Sequence, residues 1–109
     1  MLSRANRLTR GDDYRHVVRR GRRCAGGVLV THVVPHGGDD VRFGFIVAKS
    51  VGTAVTRNTV RRRLKAACRD LLPAMEKGRD VVIRALPPAA TADYATLHAQ
   101  VQRCLERTR

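Results

Sequence analysis

The sequence predicts an α+β fold, in the order α-β-β-α-β-α. Three observations predict it. Residues 26–34, 41–48 and 80–86 are rich in β-branched and aromatic side chains and are bounded by Gly, Pro and Asp clusters, as strands are. A long basic segment beginning near Thr53 or Thr56 carries apolar residues at helical spacing and meets Pro73 just past its end. Residues 91–107 repeat an apolar residue every third or fourth position, with Tyr94, Leu97, Val101 and Leu105 in one stripe and Cys104 beside it. At 109 residues the chain reads as one domain, 1–109.

Taken in order, residues 1–9 read as a flexible basic lead-in. Residues 10–20 form a short helix, with Asp12 and Asp13 suited to its first turn and Gly21 to its end. Tyr14, Val17 and Val18 fall on one face of it. The strands at 26–34 and 41–48 are joined by the six residues PHGGDD, which predicts a hairpin between them. In the second of these strands Val41, Phe43, Phe45 and Val47 alternate onto one apolar face. Arg42, Gly44, Ile46 and Ala48 make the other, which is flatter and open to close approach by another backbone. Thr53 or Thr56 can cap the basic helix, which runs to about Leu72. Pro87 and Pro88 separate the third strand from the last helix.

The basic helix holds most of the functional signal. On a helical wheel Arg57, Arg61, Lys65, Asn58, Arg69 and Arg62 span an arc of about 140°, while Val60, Leu64, Ala67 and Leu71 cluster on an adjoining arc. No acid interrupts this run before Asp70, so the helix repels itself until a polyanion neutralises it. The whole chain repeats the theme, with a net charge of +13 and 19 Arg against 3 Lys. The planar guanidinium fork matches phosphate edges and stacks on bases, so the composition points to nucleic acid.

Other classes are poorly served. Cys24, Cys68 and Cys104 show no C-x-x-C and no zinc spacing, and read as reduced core or near-core thiols. There is no apolar run long enough for a membrane span and no secretory signal, so the chain reads as cytoplasmic, with no membrane partner and no small-molecule substrate. The nine acids are scattered, and the four histidines form no evident acid–base pair. No catalytic residue and no protein metal site are therefore expected.

The same residues carry a family likeness. Phe43-Gly44-Phe45, Lys49, Gly52-x-Ala54-Val55-x-Arg57-Asn58, then Arg61-Arg62 and Lys65, resemble the signature of the protein subunit of bacterial ribonuclease P. Upstream, Asn6-Arg7-Leu8, Asp13-Tyr14, Val17 and Gly21 resemble the first helix of that family. The resemblance implies a two-layer α+β sandwich with a mixed sheet, of the kind found in the second domain of ribosomal protein S5, with a left-handed β-α-β crossover through the basic helix.

It also implies a non-catalytic protein subunit that binds a catalytic RNA and the 5′ leader of precursor tRNA. That subunit assists Mg²⁺-dependent removal of the leader, with Mg²⁺ held mainly by the RNA. Carried onto this chain, Lys49, Arg57, Asn58, Arg61, Arg62 and Lys65 become catalytic-RNA contacts, and Tyr14, Val18 and His32 line the leader cleft. Val18 and His32 stand where the family often has aromatics, and Thr53 replaces its usual Asn. The resemblance then implies weaker leader stacking here, with charge carrying more of the affinity. A ribosomal or RNA-chaperone protein is the alternative. It accounts for the charge but not for the G-T-A-V-T-R-N spacing.

Overall fold

The computed structural model describes residues 2–108. Helix α1 spans Gly11–Arg20, strand β1 Arg22–Ala25, β2 Leu29–Pro35, β3 Val41–Ile46, helix α2 Ala54–Leu71, β4 Arg79–Ala85 and α3 Tyr94–Arg107. The strands lie in the order β1-β2-β4-β3. β1 and β2 run antiparallel, as do β2 and β4, whereas β3 and β4 run parallel, so the sheet is mixed as expected.

The expected hairpin between the second and third strands does not form. β4 lies between them, pairing Val33 with Val81 on one side and Phe43 with Val81 on the other. The reason is burial. Val81, Val82 and Ile83 are wholly inaccessible, and a strand apolar on both faces belongs in the middle of a sheet. The intervening loop ties down instead on the start of β4, where the His36 amide donates to the Gly78 carbonyl at 2.9 Å. β1 also escaped the sequence reading. Its residues Arg-Arg-Cys-Ala carry little strand propensity, and pairing with β2 alone makes it a strand.

Strand alternation sorts the residues onto two faces. Leu29, Val33, Val41, Phe43, Val81 and Ile83 pack with Val60 and Leu64 of α2 and Leu97 and Val101 of α3. Full burial of each such side chain contributes about 1.5–3 kcal/mol. The opposite face meets α1 and Leu8 of the N-terminal segment, through a smaller cluster of Leu8, Val17 and Val82 with Tyr14, Val34 and Ile46 packed against it.

Residues 2–9 are not the loose lead-in that the sequence suggested. Leu2 and Leu8 are buried. The Asn6 side-chain amide donates to the Val41 carbonyl at 2.8 Å, and the Leu8 amide donates to the Phe43 carbonyl at 2.8 Å, which fastens the segment along the outer edge of β3. Met1 lies outside the described residues.

Cys24 and Cys104 form a disulfide between β1 and α3, and only Cys68 is a thiol among the described residues. Reduced thiols at all three positions were expected. Eighty residues separate the pair, and only the return of α3 onto β1 brings them together. Complete burial pushes the Cys68 thiol far above its ordinary pKa, which keeps it inert.

Candidate nucleic-acid interface

Helix α2 starts where Gly52 adopts φ 155° and ψ −163°, a combination essentially confined to glycine. Thr53 is then the N-cap, its hydroxyl accepting from the Thr56 amide at 3.3 Å. Val60, Leu64, Ala67 and Cys68 face the core. That fixes the helix's rotation and leaves Asn58 and Arg62 exposed, with Arg57, Arg61 and Lys65 half-exposed beside them. The five expected α2 residues therefore share one outward strip. Lys49 is exposed in the 3-10 turn that leads into the helix.

The strip is organised without acids. Arg61 Nη1 donates to the Asn58 side-chain oxygen at 2.8 Å, and Arg62 Nη2 approaches the Thr59 hydroxyl at 3.5 Å. Arg57 Nε is buried without a hydrogen-bond partner. Among the described residues no carboxylate pairs with Lys49, Arg57, Arg61, Arg62 or Lys65. Arg63 lies off the strip and donates to the Ala92 carbonyl at 3.0 Å, fastening the approach to α3.

Tyr14, Val18 and His32 lie on the other face of the sheet. The Tyr14 ring sits on Gly44, its hydroxyl accepting from the Phe45 amide at 3.2 Å and donating to the Leu8 carbonyl at 3.4 Å. The flat surface at Gly44 is thus occupied by the chain's own tyrosine, which is itself half-buried. Val18, one turn after Tyr14, is 40% exposed.

The strand register places Arg23, His32, Val82 and Gly44 in one row beneath α1, with Ala25, Val30, Arg84 and Ile46 in the next. His32 is buried, and its Nδ1 has no hydrogen-bond partner. Burial, then the Arg84 and Arg23 guanidinium charges, hold its pKa below the ordinary histidine value, so it is neutral at pH 7. Arg23 and Arg84, both exposed, therefore flank His32 although the sequence reading did not single them out. Strand alternation puts Arg84 on the side of Val82, but only the sheet order shows that this side is also His32's.

At the other end of this face, Asp80 is buried and held by a bidentate pair from Arg42, with Nε and Nη2 donating at 2.8 and 2.7 Å. That bond raises the Arg42 pKa, and it makes Arg42 a structural cation. His98 meets Asp70 at 2.7 Å and His36 stands 3.7 Å from Asp80, two pairings that helix and loop packing create and the sequence did not disclose. Among the described residues no group of three His, Cys, Asp or Glu side chains converges to hold a metal ion.

Residues 2–109 match the Ribonuclease P family. The chain is 48% identical over 109 residues to the ribonuclease P protein component of Clavibacter michiganensis, covering 98% of this chain and 96% of that protein. It is 43% identical over 110 residues to that of a Nocardioides species, at 98% and 94% coverage. Among solved structures, the ribonuclease P protein of Staphylococcus aureus superposes with TM-score 0.86 at 20% identity, covering 95% of each chain. That of Thermotoga maritima gives 0.85 at 22% identity, covering 94% of this chain and 97% of its own. The structural likenesses carry the fold and the sequence likenesses the descent: this chain belongs to the family of ribonuclease P protein components.

Proposed function

We propose that this subunit of the tRNA-processing endonuclease binds the catalytic RNA through the α2 strip of Arg57, Asn58, Arg61, Arg62 and Lys65, with Lys49 at its foot. The cleft of Tyr14, Val18 and His32, flanked by Arg23 and Arg84, receives the 5′ leader of precursor tRNA. The carrying observation is the outward arginine strip, which has no carboxylate partner among the described residues. Such a strip finds its counter-charge in phosphate.

In this reading the chain supplies position and charge while the RNA supplies the reaction centre and its Mg²⁺. Guanidinium groups neutralise phosphates that otherwise repel one another as leader and catalytic RNA come together. In the leader cleft one ring face of Tyr14 offers a stacking surface worth about 1–3 kcal/mol per base, and neutral His32 adds no charge of its own. Arg23 and Arg84 provide that charge.

The test is precursor-tRNA cleavage at low Mg²⁺ with the RNA alone, the protein alone and the two together. Activity only in the mixture, with a correctly placed 5′ end, is the expected result, and cleavage by the protein alone would overturn it. Arg61→Ala with Arg62→Ala is expected to weaken binding of the catalytic RNA and flatten the slope of log K against log salt by about two. An unchanged slope would remove the strip from the interface.

A further inference from the structure

We infer that Tyr94 is a base-stacking residue of the catalytic-RNA interface, forming one wall of a groove that takes a single unpaired nucleotide. The inference rests on the α2 strip being the RNA-binding face and extends that face by one specific site. Tyr94 opens α3, whose inward residues Leu97, Val101 and Cys104 are fully buried. Its periodicity assigns it to that same stripe, yet it is 39% exposed. The sequence thus gives it a core role that the structure withholds.

The groove beside it is lined by Leu2, Arg7, Arg62, Lys65, Arg69 and Tyr94. The N-terminal segment, fastened along β3, forms one bank and the flank of α2 the other. This combines an apolar floor, one aromatic wall and a rim of four cations. A base can lie against the ring while its phosphates meet the guanidinium groups, the arrangement by which single-stranded nucleic acid is held. Duplex RNA keeps its bases stacked on one another and would leave the ring unused.

Asp70 also lines the groove, its carboxylate hydrogen-bonded to His98 Nε2 at 2.7 Å, and against this one acid the four cations leave the rim strongly positive. His98 in turn stands beside Tyr94, with ring centroids 5.7 Å apart and planes tilted by 51°. The tyrosine is therefore linked to α2 through His98 and Asp70, a contact that restricts the ring before a base settles on it. Arg62 and Lys65 line this groove and also belong to the α2 strip, so the two surfaces are continuous.

The test measures binding of the full chain to ribonuclease P RNA with Tyr94→Ala, Tyr94→Leu and Tyr94→Phe, each first checked by thermal melting. Tyr94→Ala and Tyr94→Leu are expected to weaken binding by about 5- to 100-fold with the salt slope unchanged, and Tyr94→Phe to stay within about two-fold. Chemical probing of the RNA should show one unpaired nucleotide protected by the wild type and Tyr94→Phe and exposed with Tyr94→Leu. Leu keeps the bulk of the side chain, so it reports on stacking where Ala harms folding. Wild-type affinity in Tyr94→Leu, while Arg61→Ala with Arg62→Ala loses binding, would overturn this inference alone. Wild-type affinity in all of these variants would overturn the α2 interface as well.

Discussion

Gly44→Ala tests the proposed leader cleft at its foundation. A Cβ at this position would stand 2.5 Å from Tyr14 Cζ, 2.6 Å from Cε2 and 2.8 Å from the hydroxyl oxygen. Carbon atoms in contact sit at about 3.5–4.0 Å, so the ring must retreat by roughly an ångström. It is the far end of a side chain and can swing toward solvent. Doing so breaks the bond from the Phe45 amide and the bond to the Leu8 carbonyl. Each such bond is worth about 0.5–1.5 kcal/mol, and tight overpacking costs about 1–3 kcal/mol.

Because Tyr14 is only half-buried, the expected loss lies at the low end, about 1–2 kcal/mol, or roughly 4–15 °C of melting temperature for a domain of this size. Thermal denaturation followed by circular dichroism reads it. Combining Gly44→Ala with Tyr14→Ala removes the collision, so the pair should be more stable than the sum of the singles by about 1 kcal/mol. The displaced ring should also weaken binding of precursor tRNA more than of mature tRNA. Additive losses, or a Gly44→Ala protein with wild-type melting and wild-type leader preference, would refute the packing of Tyr14 on Gly44 and the cleft built on it.

Asp80→Asn removes one half of the buried pair with Arg42 and should cost about 1–3 kcal/mol in urea denaturation, less than a fully buried pair because Arg42 is about one-third exposed; an unchanged midpoint would show that the bond contributes nothing. His32 should make stability pH-dependent: its folded pKa is depressed, so between about 6.5 and that lower value the unfolded chain binds more protons, and stability falls as pH falls through the window. His32→Phe abolishes this component, and a stability difference between the two proteins that stays constant from pH 7.5 to 5 would contradict it. Thr53→Ala should lower stability by about 1 kcal/mol through loss of the cap to Thr56, with Thr53→Asn restoring it; equal stability of all three would remove the cap from the account.

The legible parts of the fold were those encoded locally. Val60, Leu64 and Ala67 set the rotation of α2, and its arginine strip follows from the same 3.6-residue period. The sheet order was not legible, because the short loop after Pro35 argues for a hairpin, while the doubly apolar run Val81–Ile83 competes for the centre and wins. Likewise, nothing near Cys24 points to Cys104, since the pairing depends on where α3 finally packs. The site divides in the same way. Lys49, Arg57, Asn58, Arg61, Arg62 and Lys65 share one segment and could be read together, whereas Arg23, His32 and Arg84 come from three strands. Leu8 on the edge of β3 required a contact with Phe43 that no periodicity announces.

The unequal covering of the sheet explains how so small a chain can offer two surfaces. One face is closed by two helices of 18 and 14 residues, and the other by α1, which has only 10. A single short helix cannot cover the whole face, and the register leaves the row of Ala25, Arg84 and Ile46 beyond that of Arg23, His32 and Gly44. The arginine strip and the Tyr14 cleft therefore stand on opposite sides of the sheet, and a ligand of one does not reach the other through the core. They approach each other along β3, where the chain turns through Lys49 and Gly52 into α2 and where Arg7 lines the α2 groove while Leu8 accepts from Tyr14. In the proposed assembly these two places are where the surface for the leader and the surface for the catalytic RNA share a border. At the first of them an exposed Lys49 offers its charge from a turn whose course is set by Gly52, a backbone no other residue readily adopts, and at the second the guanidinium of Arg7 does the same.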